Sequence, residues 1–201
     1  MESSTEISNL ALSHLAIGKQ VANIDSEKST EARACRMFFD IARDAVLRDF
    51  AWPFATRLFS LGLVETNPND EWGFSYRMPS DCVQVRRILS GIRNDTRASR
   101  VPYIIGSDNT ALLIYTDAES ATAEYTLRET RVNLYPPDFC IALSLRLAAY
   151  IAPQLTGGDP FRLGERSMKM YVVELSKAQA SAFNEEQSDQ APEAESIQAR
   201  E

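Results

Sequence analysis

The spacing of apolar residues changes period twice along this chain, and that double switch limits its fold more than any other feature. Up to residue 56 the large apolar side chains recur at three and four, the helical period. From Arg57 to Thr130 they alternate in twos, the strand period, and from Pro136 the helical period returns. The expected order is helix, helix, strands, helix, helix, tail.

Residues 6–17 read as a first helix, with Ile7, Leu10, Ala11, Leu12 and Leu15 on a broad apolar face and Gly18 at a left-handed C-terminal position. A second helix, capped by Asp25 or Ser26, runs to about Ala51. Its stripe is Cys35, Phe39, Ala42, Val46 and Phe50. The pairs Arg36–Asp40 and Asp44–Arg48 lie four apart on its outer face. Pro136-Pro137-Asp138 opens a third helix whose only charge from Phe139 to Leu155 is Arg146; a helix apolar nearly all round belongs at a centre. Arg146 is expected to reach a carboxylate or solvent at the rim. Asp159-Pro160 starts a fourth helix with the stripe Met168, Tyr171, Val172, Leu175, Ala178 and Ala182.

In the strand block, Phe59, Leu61 and Leu63 alternate with Ser60 and Gly62, and Trp72, Phe74, Tyr76 and Met78 alternate with smaller or polar residues. Further runs are Val83–Leu89, Val101–Ile105, Ala111–Thr116 and Thr122–Glu129. Consecutive strands on short turns predict one antiparallel sheet. The fold expected is therefore α+β: a four-helix bundle from residues 1–56 and 136–183, an antiparallel β domain inserted at 57–135, and an extended C-terminal tail at 184–201. That tail holds six acids and one large apolar residue, Ile197, too little to fold alone.

Composition narrows function by exclusion. At 201 residues and 44% apolar content the chain can bury one sizeable core. Its net charge of −7 is a poor basis for gripping a phosphate backbone by bulk charge. No apolar run has membrane-spanning length, and the first residues lack a signal peptide's basic start and apolar core, which points to cytoplasmic synthesis. Cys35, Cys82 and Cys140 form no CxxC pair, so neither zinc nor a disulfide framework is suggested. The single histidine, His14, lies on an apolar stripe and reads as a core-edge residue rather than the base of a cysteine hydrolase. There is no GxGxxG, Walker loop, HExxH or GxSxG, so no motif calls for a cofactor, and composition and motifs alone do not name a function.

The element order and three motifs resemble the head-to-tail adaptor family of short-tailed bacteriophages, the tail tubular A-type or head-completion proteins. The motifs are Ala34-Cys35-Arg36 through Asp40, Arg43-Asp44, Leu47 and Trp52-Pro53-Phe54-Ala55; Tyr76-Arg77-Met78-Pro79-Ser80-Asp81-Cys82; and Phe139 through Leu147-Ala148-Ala149 to Gly157-Gly158. The likeness runs from about Ile7 to Ala182 and is weak across 91–121. It implies a structural virion protein, made in the infected bacterium's cytoplasm. It implies a homo-dodecameric ring below the portal protein that extends the DNA channel and seats the tail nozzle (tubular B-type) protein. Genomic DNA would pass through without specific binding, no membrane is involved, and the resemblance implies no catalysis.

Three groups of residues are singled out. Trp52, Pro53 and Phe54 read as a buried hinge between helices and sheet, with an intersubunit anchor as the other reading. Arg86, Arg87, Arg93, Arg97 and Arg100 form a basic cluster beside Asp95 alone. The cluster is a solvated face, a contact with a neighbouring subunit or the tail, or, on the alternative reading of a small nucleic-acid-binding or regulatory protein, a DNA contact. The resemblance implies a C-terminal arm docking on the portal. Phe183 begins it, Ile197 enters an apolar notch, and Glu185, Glu186, Asp189, Glu193 and Glu195 face basic residues.

Overall fold

The computed structural model of the chain describes residues 3–92 and 98–185, the last three in backbone only. Among these residues the helices are α1 (Ser4–His14), α2 (Thr30–Asp49), α3 (Pro137–Leu155) and α4 (Leu163–Glu185). The strands are β1 (Thr56–Ser60), β2 (Leu63–Thr66), β3 (Phe74–Arg77), β4 (Cys82–Ile88), β5 (Tyr103–Ser107), β6 (Leu112–Thr116) and β7 (Thr122–Leu127). They form two antiparallel sheets, one ordered β1-β7-β4 and the other β2-β3-β6-β5.

Helix ends follow local hydrogen bonding. The Ser3 hydroxyl accepts the Glu6 N–H at 3.2 Å to start α1. The left-handed residue after α1 is Ala16, at φ 56°, rather than Gly18. There the Ala16 N–H donates to Ser13 O and the Ile17 N–H to Leu12 O, which satisfies the last carbonyls two residues earlier than expected. Asn23 takes the N–H groups of Asp25 and Ser26 on its Oδ1, so Ser29, not Asp25 or Ser26, caps α2. Asp159 does cap α4, but from a loop at φ 61°, accepting from Leu163 and Gly164; the helix therefore begins at Leu163 rather than Pro160.

α3 is the hub. It packs against α1, α2 and α4, which touch one another little. Phe139, Cys140, Leu143, Leu147, Ala148 and Ile151 are fully buried along it. α4 comes so close that a Cβ on Gly164 would lie 2.8 Å from the Ala152 Cβ, so glycine sets that crossing. Arg146 stacks on Tyr150 and Tyr171, 5.3 and 5.1 Å from the ring centres, and its guanidinium stands 3.8 Å from Asp49.

The expected four-helix bundle with one inserted sheet is corrected on two counts. First, the fold is mixed α+β with two sheets. The chain leaves the first sheet at Leu61, whose N–H bonds Ala121 O, and joins the second at Gly62, whose carbonyl accepts from Arg77. Alternation in twos marks strands but not which strands share a ladder. Second, α1 has 11 residues against 20 in α2, too short to form a full stave, and the loop after it, with Val21 and Ile24 buried, covers the remaining core. Two separate apolar clusters result, one among the helices and one within the sheets.

Several side-chain partners also differ from expectation. Arg36 donates to the carbonyls of Ile24 and Glu27 rather than to Asp40. Asp44 takes Arg43 and Arg128 rather than Arg48. Tertiary partners of fixed position displace flexible pairs on one helix. Val172 of the expected α4 stripe is 54% exposed, because α4 packs mainly on α3 and leaves its opposite face bare.

Candidate functional site

The Trp52-Pro53-Phe54 turn joins helices to sheet. Trp52 is 1% exposed, and its indole N–H donates to Val46 O at 2.9 Å. Its ring meets Phe50 and Phe139 edge-on at 5.1 and 5.0 Å, and Phe54 meets Phe139 at 4.9 Å. Pro53 begins a single 3-10 turn, Pro53–Ala55, that leads directly into β1. The turn is thus held by α2 and α3 together, with the Trp52 ring inside the chain.

Arg86 belongs to the same junction. From β4 it donates to the carbonyls of Leu47, Arg48 and Phe50 and to the Thr126 hydroxyl. These are orphan carbonyls at the end of α2, and a cation there opposes the helix's negative end. Arg87 pairs with Glu124 at 2.8 Å. Arg100 is exposed just before β5. Arg93 and Arg97 lie outside the described residues, as do Glu186, Asp189, Glu193, Glu195 and Ile197, and the side chains of Phe183 and Glu185. Two of the five clustered arginines therefore have partners within the chain, Arg86 at the end of α2 and Arg87 in a half-exposed pair, which the local density of charge could not reveal.

A second fastening lies just before α3. Arg131 grips Glu129 with two bonds, of 2.9 and 2.7 Å, and donates its own N–H as well. This holds the Glu129 carboxyl down to about 2. The Glu129 carbonyl accepts the Tyr135 hydroxyl at 2.7 Å.

Placement disfavours the charged, reactive forms of the thiols and of His14. All three thiols are buried and unpaired, and burial pushes Cys35 and Cys82 up to about 11, far from a thiolate at neutral pH. His14 Nε2 stands 3.1 Å from the Ser144 hydroxyl, the separation of a nucleophile and its base. Ser144, however, is fully buried on α3 and donates its proton to Ile141 O, so the His14 N–H is left to donate to it. Burial also lowers the His14 pKa. Among the described residues no cluster of His, Cys, Asp and Glu has the makings of a metal site. No described helix is long and apolar enough to cross a membrane.

What the surface does offer is apolar area on strand edges. β1 is an edge of the first sheet, and β2 and β5 are the two edges of the second. Leu58 and Phe59 on β1, Leu63 and Val64 on β2, and Ile104 and Ile105 on β5 are all between 44 and 59% exposed. Where the two sheets abut, Phe59, Leu61, Met78 and Leu112 line an open groove of about 840 Å³, with Arg77 and Arg128 among its polar neighbours. Of the alternating Phe59, Leu61 and Leu63, only Leu61 is buried. An edge strand with one neighbour leaves both of its faces partly bare.

No protein-family model matches the chain, and a search of curated proteins finds no match.

Proposed function

We propose that this chain is a structural virion protein, the head-to-tail adaptor of a short-tailed phage. Copies form a ring under the portal, extend the DNA channel and seat the tail nozzle. The resemblance supplies the identity of the partners. The observation that carries the reading is the contrast between buried thiols with a half-buried histidine and a surface that bares apolar side chains, among them six on the open strand edges β1, β2 and β5. That is the distribution of an assembly component rather than an enzyme. The portal contact is assigned to the acidic arm, residues 184–201, and the hinge at Trp52, Pro53 and Phe54 holds the sheets at a set angle to the helices. Arg86 and Arg87 serve the fold, which removes support from a nucleic-acid reading built on the full arginine cluster.

The test is electron microscopy of portal rings from the same phage incubated with the full chain and with a chain ending at Asn184. The full chain should decorate the portals. The shortened chain should keep its melting temperature and fail to attach. Full occupancy by the shortened chain overturns the docking arm. A full chain that ignores portals yet binds free DNA with steep salt dependence overturns the adaptor reading in favour of the nucleic-acid alternative.

A further inference from the structure

We infer that neighbouring copies join edge to edge through the second sheet, β2 of one copy pairing with β5 of the next. The two strands are the opposite edges of one four-stranded sheet. Neither contains lysine or proline, the usual guards of an open edge; β2 carries one acid, Glu65, and a bulge between Leu63 and Glu65. Leu63 and Val64 are 54 and 44% exposed on β2, and Ile104 and Ile105 are 46 and 48% exposed on β5. Ile104 and Ile105 are successive residues in a regular ladder, so they stand on opposite faces, and an added strand would flank both.

Direction and charge select a second copy as the occupant. Every adjacent pair in the sheet is antiparallel, so across three pairings β2 and β5 run in opposite senses. A neighbour in the same orientation therefore lays its β2 antiparallel to β5 and continues the alternation. In that register the end of β2 meets the start of β5. The end of β2 leads to the exposed acids Asp70 and Glu71, with Glu65 within the strand; exposed Arg100 precedes β5. Among the described residues none of these four has an ion-pair partner in its own chain. Opposite signs at the meeting ends set register as well as partner.

The first sheet offers no such pair of edges. β1 is open, but β4 is engaged: Arg86 is tied to the end of α2, and Ile88 bridges to Val101. Contact through β1 alone would be self-complementary and stop at a dimer. Contact between two different edges is head-to-tail, and it closes into a ring when the rotation per copy allows. The inference deepens the adaptor reading and rests on it for the role of the ring, but self-association is measured without a portal.

Light scattering and sedimentation of the full chain from low to high micromolar concentration provide the test, with Val64→Lys and Ile104→Lys as single-edge blocks. The unaltered chain should oligomerise as concentration rises. Each variant alone should stay monomeric, with association about tenfold weaker or more. Their equimolar mixture should form a dimer and nothing larger, since each retains one working edge. A monomeric unaltered chain, single variants that oligomerise normally, or loss of assembly only on Leu58→Lys overturns the pairing. Should Val64→Lys fail to fold, charge reversal decides: Arg100→Glu should weaken assembly and adding Glu71→Arg should restore it, while no effect or no rescue overturns the register. Oligomers that ignore portal rings keep this inference and sink the adaptor reading. Portal rings decorated equally well by both lysine variants do the reverse.

Discussion

Helix α3 and strand β5 are built from the same kind of side chain and treat it in opposite ways. Ile151 on α3 has no exposed surface, whereas Ile104 and Ile105 on β5 are nearly half bare. The difference is the number of neighbours. α3 is walled by three helices, so most of its apolar surface finds cover, with Ile141 near its start left exposed. Among the described residues β5 has β6 on one side and no strand on the other, with only Val101 ahead of it bridged to Ile88. At α3 the chain itself supplies nearly all the cover an apolar side chain needs; at β5 it does not.

The comparison is broken most forcefully at the helical centre. Trp52→Ala should cost about 3–5 kcal/mol in urea denaturation, and Leu143→Ala or Leu147→Ala about 2–5 kcal/mol, because each opens a cavity in a fully enclosed cluster. Losses below about half a kcal/mol at both leucines would deny that α3 is the hub. Arg86→Met tests the junction between the two parts. It leaves the carbonyls of Leu47, Arg48 and Phe50 without their donor, at about 1–3 kcal/mol. A neutral outcome would make the sheet a separately attached body.

Acidity sharpens the same boundary. The Glu129 carboxyl sits at about 2 in the folded chain against an ordinary 4.5. A depressed carboxyl contributes stability that is present in full above 4.5 and is lost as pH falls from there through about 2. Stability measured across that window should fall more steeply for the unaltered chain than for Glu129→Gln; parallel profiles would show that the Arg131 grip does not matter to the fold. The smallest effects belong to the outer face of α4. Val172→Ser and Val173→Ser should shift stability by less than about 0.5 kcal/mol, since both residues are already 54% exposed. A large loss at either would mean that this face is covered within the chain.

The helical stretches were legible because their signal is local. The stripe through Cys35, Phe39, Ala42 and Val46 and the near-uncharged run of α3 need no knowledge of distant residues, and both are buried. The strands were legible as strands, yet their sorting into two sheets was not. It depends on Leu61 and Gly62 bonding to Ala121 and Arg77, residues far along the chain. Helix starts were misplaced where a side chain outside the capping position took the orphan groups, as Asn23 and Asp159 do. The surface was hardest. Phe59 and Leu61 obey the same alternation, and only the edge position of β1 leaves Phe59 bare. Arg86 and Arg100 look alike in a charge count, and only the fold sends one to the end of α2 and leaves the other outside.

The placement of the three cysteines has a use beyond packing. Cys35 and Cys140 sit in the helical cluster and Cys82 in the sheet cluster. Cys35 and Cys140 have no exposed surface, so a modifying reagent labels them only during an opening, whereas Cys82, 8% exposed, borders the groove between the sheets. The chain thus carries two reporters, one on the opening of the helical core and one on access at the rim of the sheets. Single-cysteine versions isolate them, and the ratio of their labelling rates measures how far the sheets can breathe while the helices remain closed.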